Sequence, residues 1–264
     1  MTMAMTLTKD PQTGATRYDL KSAGTFEMPG LEDVDTASIA AVAFAVAADS
    51  LANLADKSSE ILNDADLSQQ GHEKKLDPLQ KDVVLTLARA DAQLDLEEAH
   101  FDKRERQLYQ VPPAELGHSA DDHEIRGWWR FLPTDERPKM LQRMAEEPGH
   151  ERLMLALLRS PIPQLDHEIK FVTELWRKSR RLDNPGEALA IDAGRANIAW
   201  GRSGVAHVAG LTRTALGWDS DRVVRTLLSS ADPSHHDASK VFGIDRHQVE
   251  VTKRSMAYEA QKRY

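Results

Sequence analysis

The chain has 264 residues, with 34 lysines and arginines against 42 aspartates and glutamates, a formal net charge of −8 and no cysteine. The missing thiol excludes disulfides, zinc–thiolate and iron–sulfur sites and any cysteine nucleophile. The acidic balance excludes coating of nucleic acid by bulk charge, and the length allows one large domain or two small ones.

The N-terminus, Met1 to Leu7, is apolar but short. It lacks a basic stretch and is soon interrupted by Lys9–Asp10, which argues against a signal peptide. The most apolar run, Ile39 to Ala48, spans about ten residues where a membrane helix needs roughly 20. The expectation is a soluble chain with no membrane partner, cytoplasmic in the producing cell or carried in a virion. The absence of cysteine fits a reducing compartment.

Residues 1–33 are punctuated by Pro11, Gly14, Gly24, Pro29 and Gly30 and hold no helical or strand period. They read as an extended or disordered arm. Either it is a tail, or it orders on a partner through Tyr18, Leu20, Phe26, Met28 and Leu31.

From Val34 the pattern turns helical. Asp35 or Thr36 caps a helix through Ile39, Val42, Val46, Leu51, Leu54, Ile61 and Leu62. Gly71 and Pro78 break it, and a second helix runs from Pro78 to Tyr109. Val83, Leu87, Ala90, Leu94, Phe101 and Leu108 form a heptad-like stripe, interrupted where Glu97 and Arg104 take seam positions. Residues 34–110 are therefore expected to form a helical hairpin or to pair with another chain. Pro112–Pro113 ends the region.

Residues 114–182 read as a compact bundle with breakers at every turn. Its helices are Ala120–Leu132, Pro133–Glu147, His150–Arg159 and Leu165–Arg181. After Asn184–Pro185–Gly186, residues 187–264 carry a helix over Glu187–Ala199, two more short helices, and a last one over Arg246–Lys262. No β-branched alternation is sustained, so strands are not expected. The fold class is all-α: a long helical hairpin or coiled-coil-like front half followed by a short-helix bundle. Charge divides unevenly: residues 1–110 hold 11 basic and 20 acidic side chains (−9), residues 111–199 hold 13 and 15 (−2), and residues 200–264 hold 10 and 7 (+3).

Catalytic signals are weak. His72–Glu73, His123–Glu124, His150–Glu151 and His167–Glu168 lack a second histidine one turn on, so none makes a zinc-protease helix. His235–His236–Asp237 holds ligand-type side chains but lies in a polar turn beside Pro233, where histidines are ordinarily exposed. No phosphate-cradling glycine loop occurs, and Gly201-Arg-Ser-Gly204 only superficially resembles a nucleophile elbow. No cofactor is expected, and the chain does not read as an enzyme. Asp122-His-Glu-Ile-Arg126 is echoed 44 residues later by Asp166-His-Glu-Ile-Lys170, either by chance or as two related hairpins.

Two segments resemble the core of a helix-turn-helix, with a small residue four before a turn glycine and apolar residues after it. In Val205–Leu216 these are Ala206, Gly210, Leu211 and Leu216, which would expose Arg213 and Thr214. In Ala238–Val249 they are Ser239, Gly243, Ile244 and Val249. The second helix would then carry Arg246, His247, Gln248, Lys253 and Arg254. Of the five tryptophans, the adjacent Trp128 and Trp129 cannot share one helix face, so one of them can reach an interface.

The stretch from Glu124 to Leu165 includes Gly-Trp-Trp-Arg-Phe-Leu132-Pro133 and Ala156-Leu-Leu-Arg-Ser-Pro161. It resembles uncharacterised helical proteins encoded among the structural genes of tailed bacteriophages. The resemblance covers about 40 residues and carries no active-site residue. It implies a virion component or head-assembly factor. The expected function is a non-enzymatic interaction or assembly protein, in a homo-oligomer or with virion subunits. Its contacts would come from Phe26, Val83, Leu87, Leu94, Phe101, Leu108, Trp128 and Trp129. The alternative is a DNA-associated regulator using Arg213, Thr214, Arg246, Gln248 and Lys253.

Overall fold

The computed structural model describes residues 6–12, 14–20, 24–28, 38–115, 118–147, 149–161 and 165–262. These residues are predominantly helical: α1 Ile39–Leu62, α2 Gln69–Leu108, α3 His118–Phe131, α4 Glu136–Glu146, α5 Glu151–Leu158, α6 Asp166–Asp183, α7 Pro185–Leu216, α8 Ser220–Leu228 and α9 Arg246–Gln261. A 3-10 helix, Pro233–Phe242, precedes α9. The all-α expectation holds with one correction, three short strands at the front: β1 Thr6–Lys9, β2 Thr16–Asp19 and β3 Thr25–Met28. The chain divides into two compact units, Met1–His100 with Ala193–Tyr264, and Phe101–Asp192. The divisions fall within α2 and α7 rather than at the breakers Pro112–Pro113 and Pro185–Gly186.

In the first unit the strands form an antiparallel meander, with Tyr18 opposite Leu7 on one side and Phe26 on the other. One face is apolar: Tyr18, Leu20 and Met28 are buried, while Arg17, Asp19 and Glu27 are exposed. Tyr18 stacks on Phe26 at 5.2 Å and meets the Phe44 ring edge-on at 5.0 Å. The described residues of the expected arm thus form a sheet packed on the core of this unit. Its strands are four residues each, too short for alternation to stand out in the sequence. Leu31 and the expected caps Asp35 and Thr36 lie outside the described residues.

α1 starts at Ser38, whose hydroxyl accepts from the Ala41 N–H at 3.2 Å. Its alanine-rich face (Ala40, Ala43, Phe44, Ala47, Ala48) is buried. Gly201 and Gly204 of α7 make that approach possible. A Cβ on Gly201 would lie 2.9 Å from Ala40, and one on Gly204 would lie 2.5 Å from the Phe44 ring. α1 is also long and apolar enough to cross a membrane, which the short alanine run had not suggested. Half of its apolar window is buried inside the protein.

α2 begins at Gln69 and carries both Gly71 and Pro78 within it, so neither breaks the helix. Proline removes one ladder bond there. Val83, Val84, Leu87, Ala88, Ala90 and Leu94 lie beyond it in the same helix, in the core of this unit. Each fully buried aliphatic side chain is worth about 1.5–3 kcal/mol, enough to hold a helix through one lost bond.

In the second unit, α3 to α6 lie within a few residues of the expected helices and share a core of Trp129, Leu141, Met144, Leu153, Met154, Leu157 and Val172. Here α2 ends against α6: the Trp176 indole donates to the Tyr109 carbonyl at 3.0 Å. Arg104 grips Glu187 through two hydrogen bonds of 2.8 and 2.7 Å. Asp122, 1% exposed, lies 3.2 Å from both Arg152 and Arg159, tying α3 to α5. The two copies of the Asp-His-Glu-Ile echo take different roles. Asp122 is buried and Glu124 exposed in the first; Asp166 is exposed and Glu168 buried in the second. The echo is not a structural repeat.

Candidate functional site

Most residues expected to meet a partner lie inside the protein. Val83, Leu87 and Leu94 are core residues of the first unit, and Phe26 packs against that core. Phe101 and Leu108 are 8% and 7% exposed. The stripe residues therefore pack within the chain's own units. The seam breakers support this, because Arg104 is held by Glu187.

Trp128 and Trp129 divide as the helix geometry demands. Trp129 is 1% exposed and Trp128 is 47% exposed. Phe131, which sequence reasoning passed over, is 89% exposed. It lies three residues after Trp128, on the same side of α3. Gly127 completes this surface: a Cβ added there would meet nothing within 4 Å, so the helix is notched beside its two aromatic rings.

The support beneath the ridge is polar and buried. The Trp129 indole N–H donates to Glu168 Oε2 at 3.3 Å, and Arg137 Nη1 donates to Glu168 Oε1 at 3.4 Å. Arg137 also donates to the carbonyls of Arg130, at 2.9 Å, and Leu132, at 3.3 Å. One guanidinium thus satisfies carbonyls that the end of α3 leaves without intrahelical partners. Phe131 sits between those two clamped residues, so the last turn of α3 is fixed while its side chain is exposed.

Comparison with family models, curated proteins and solved structures finds no match to this chain.

The nucleic-acid candidates fall into two groups. α7 runs unbroken through Gly210, so Val205–Leu216 is helix throughout and the first helix-turn-helix expectation is corrected. A helical glycine costs only about 1 kcal/mol, and burial of Val205, Val208, Ala209 and Thr212 outweighs it. Arg213 is turned inward and donates to the Phe242 carbonyl at 2.6 Å, while Thr214 donates to the Gly210 carbonyl at 3.1 Å. The second segment does turn. Gly243 takes the left-handed conformation, φ +66°, between the 3-10 helix and α9, and Ile244 and Val249 are buried behind it. Arg246, Gln248 and Lys253 are exposed on α9. Gln248 closes a capping box with Asp245, and Lys253 pairs with Glu250 at 3.1 Å.

The histidine run also differs from expectation. His235 is 2% exposed, and its Nδ1 meets Ser230 Oγ at 2.6 Å. Burial depresses its pKa below the usual imidazole value; nearby Arg89 and His236 act in the same direction and Asp232 opposes them. Among the described residues no three histidine, aspartate or glutamate side chains gather as a metal site. A cavity of about 450 Å³ beside Ile198 is lined by Arg202, which is committed to Asp95 at 2.7 Å and Glu98 at 3.0 Å.

Proposed function

We propose that the protein is a non-enzymatic assembly protein that self-associates through α3. The observation that carries the reading is the placement of Phe131 one helical turn from the Gly127 notch, on the same face. In a two-fold antiparallel crossing on the exposed face of α3, centred at the level of the buried Trp129, each Phe131 ring meets the other copy's Gly127. Such a crossing is self-complementary, as a symmetric pair requires. It also sets the exposed Arg130 of one copy against Trp128 of the other, a cation–π arrangement.

Phe and Trp each bury about 150–250 Å² when covered. A contact of this size sits at the weak end of protein interfaces, below about 1,200 Å² in total. It suits subunits that associate when held together in a larger assembly. The resemblance of residues 124–165 to tailed-phage structural proteins supplies the setting: a virion component or head-assembly factor, present in the cytoplasm of the producing cell and in the particle. Sedimentation of the full chain over a concentration series tests this. Association that disappears in Phe131→Ser supports the reading, and a strict monomer at every concentration removes it.

A further inference from the structure

We infer that α9 is a second, independent contact surface, one that takes the phosphate backbone and major groove of duplex DNA. The turn at Gly243 and the buried Ile244, Val249 and Thr252 fix one side of α9 to the first unit. Thr252 Oγ1 donates to Asp221 of α8 at 2.8 Å, and Arg225 of α8 grips Glu259 through two bonds of 2.9 Å. The opposite side is exposed and carries His247, Val251, Arg254 and Tyr258, spaced three or four residues apart, with Arg246 beside them.

That side carries Arg246 and Arg254, with the exposed Glu250 one helical turn from each. Of the acids of α9 and its cap, Asp245 caps the helix N-terminus, Glu250 pairs with Lys253, and Glu259 shares Arg225 with Asp221. Among the described residues, no hydrogen bond or ion pair holds the side chain of Arg246 or Arg254. These two guanidiniums are cationic donors, the chemistry that neutralises phosphate and reads guanine edges. Val251, 53% exposed at the middle of the stripe, is the apolar group that suits a thymine methyl. A single α-helix about 10–12 Å across fits a major groove about 12 Å wide. Because the whole chain is acidic at −8, the contact depends on this face alone and is steeply weakened by salt.

Fluorescence anisotropy of the full chain with a mixed-sequence duplex of about 20 base pairs, two helical turns, tests the inference. Binding is expected at low ionic strength. Arg246→Ala with Arg254→Ala should weaken it at least about tenfold and reduce the slope of log K against log salt by about two. Circular dichroism should be unchanged, because both side chains are exposed, and Lys103→Ala, in the other unit, should bind as the parent does. No binding at low salt, undiminished binding by the double variant, or tighter binding to single-stranded RNA than to the duplex would each overturn it. Phe131→Ser should leave this binding intact, so the two surfaces fail separately.

Discussion

The Trp129 indole donates to the carboxylate of Glu168 at 3.3 Å, deep in the second unit, and the other oxygen of that carboxylate receives Arg137 at 3.4 Å. One 4%-exposed acid thereby joins α3, α4 and α6. A buried carboxylate is tolerable only when its partners stay in place. The aromatic ridge of α3 rests on this triad.

Removing the acid should therefore cost more than a cavity of its size. Glu168→Leu leaves the indole N–H and a largely buried guanidinium without their acceptor. Breaking a buried pair in this way typically costs about 3–5 kcal/mol, and the Arg137 side chain, 19% exposed, places this one at the low end. Glu168→Gln keeps an acceptor for Trp129 and should lose less. Urea unfolding followed by tryptophan fluorescence measures both. Equal, small losses in the two variants would show that the triad holds nothing.

Two glycines of α7 should respond to alanine with opposite signs. At Gly204 a methyl would meet the Phe44 ring at 2.5 Å, and overpacking of this kind costs about 1–3 kcal/mol, more than the gain in helix propensity. At Gly210 a methyl meets nothing within 4 Å in an unbroken helix, so alanine should stabilise by about 0.5–1 kcal/mol. Thermal melts of the two variants decide it. Destabilisation by Gly210→Ala would restore a turn at that position.

Stability should fall as the medium is made mildly acidic. The His235 pKa is depressed by burial, so its contribution is complete above the ordinary imidazole value of about 6.5 and is lost as pH falls through the lower folded value. Asp91 acts in the opposite sense. Burial raises its carboxyl, with Asp95 adding and Lys240 and Arg202 opposing, so protonation at still lower pH favours the fold. In His235→Gln the loss of melting temperature just below pH ~6.5 should flatten. A profile identical to the parent's would place the acid sensitivity elsewhere.

The helices of the second unit were legible because proline and glycine separate them and each is a few turns long. Pro133, Pro148–Gly149 and Pro161 mark three of the boundaries. The meander was not legible: each strand has four residues, and its apolar face shows only when Tyr18 meets Phe26 and Phe44 in space. Gly71, Pro78 and Gly210 misled for the reverse reason, since tertiary burial along α2 and α7 outweighs a local breaker. The apolar stripe from Val83 to Leu108 was real, but periodicity does not say whether a stripe faces its own chain or another. Of the candidate surface, the division between Trp128 and Trp129 followed from helix geometry. Phe131 did not stand out, because its exposure depends on how Arg137 closes the end of α3.

The most direct measurement is sedimentation velocity of the full chain over a wide concentration range, beside Phe131→Ser and Gly127→Leu. The second substitution begins to fill the notch with a Cβ that has no heavy atom within 4 Å, and it replaces glycine with a better helix former; a thermal melt no lower than the parent's shows that its monomer is intact. The weight-average sedimentation coefficient of the parent should rise with concentration, and that of both variants should stay flat. A parent that remains monomeric throughout, or a Gly127→Leu protein that associates as the parent does, would contradict self-association through α3.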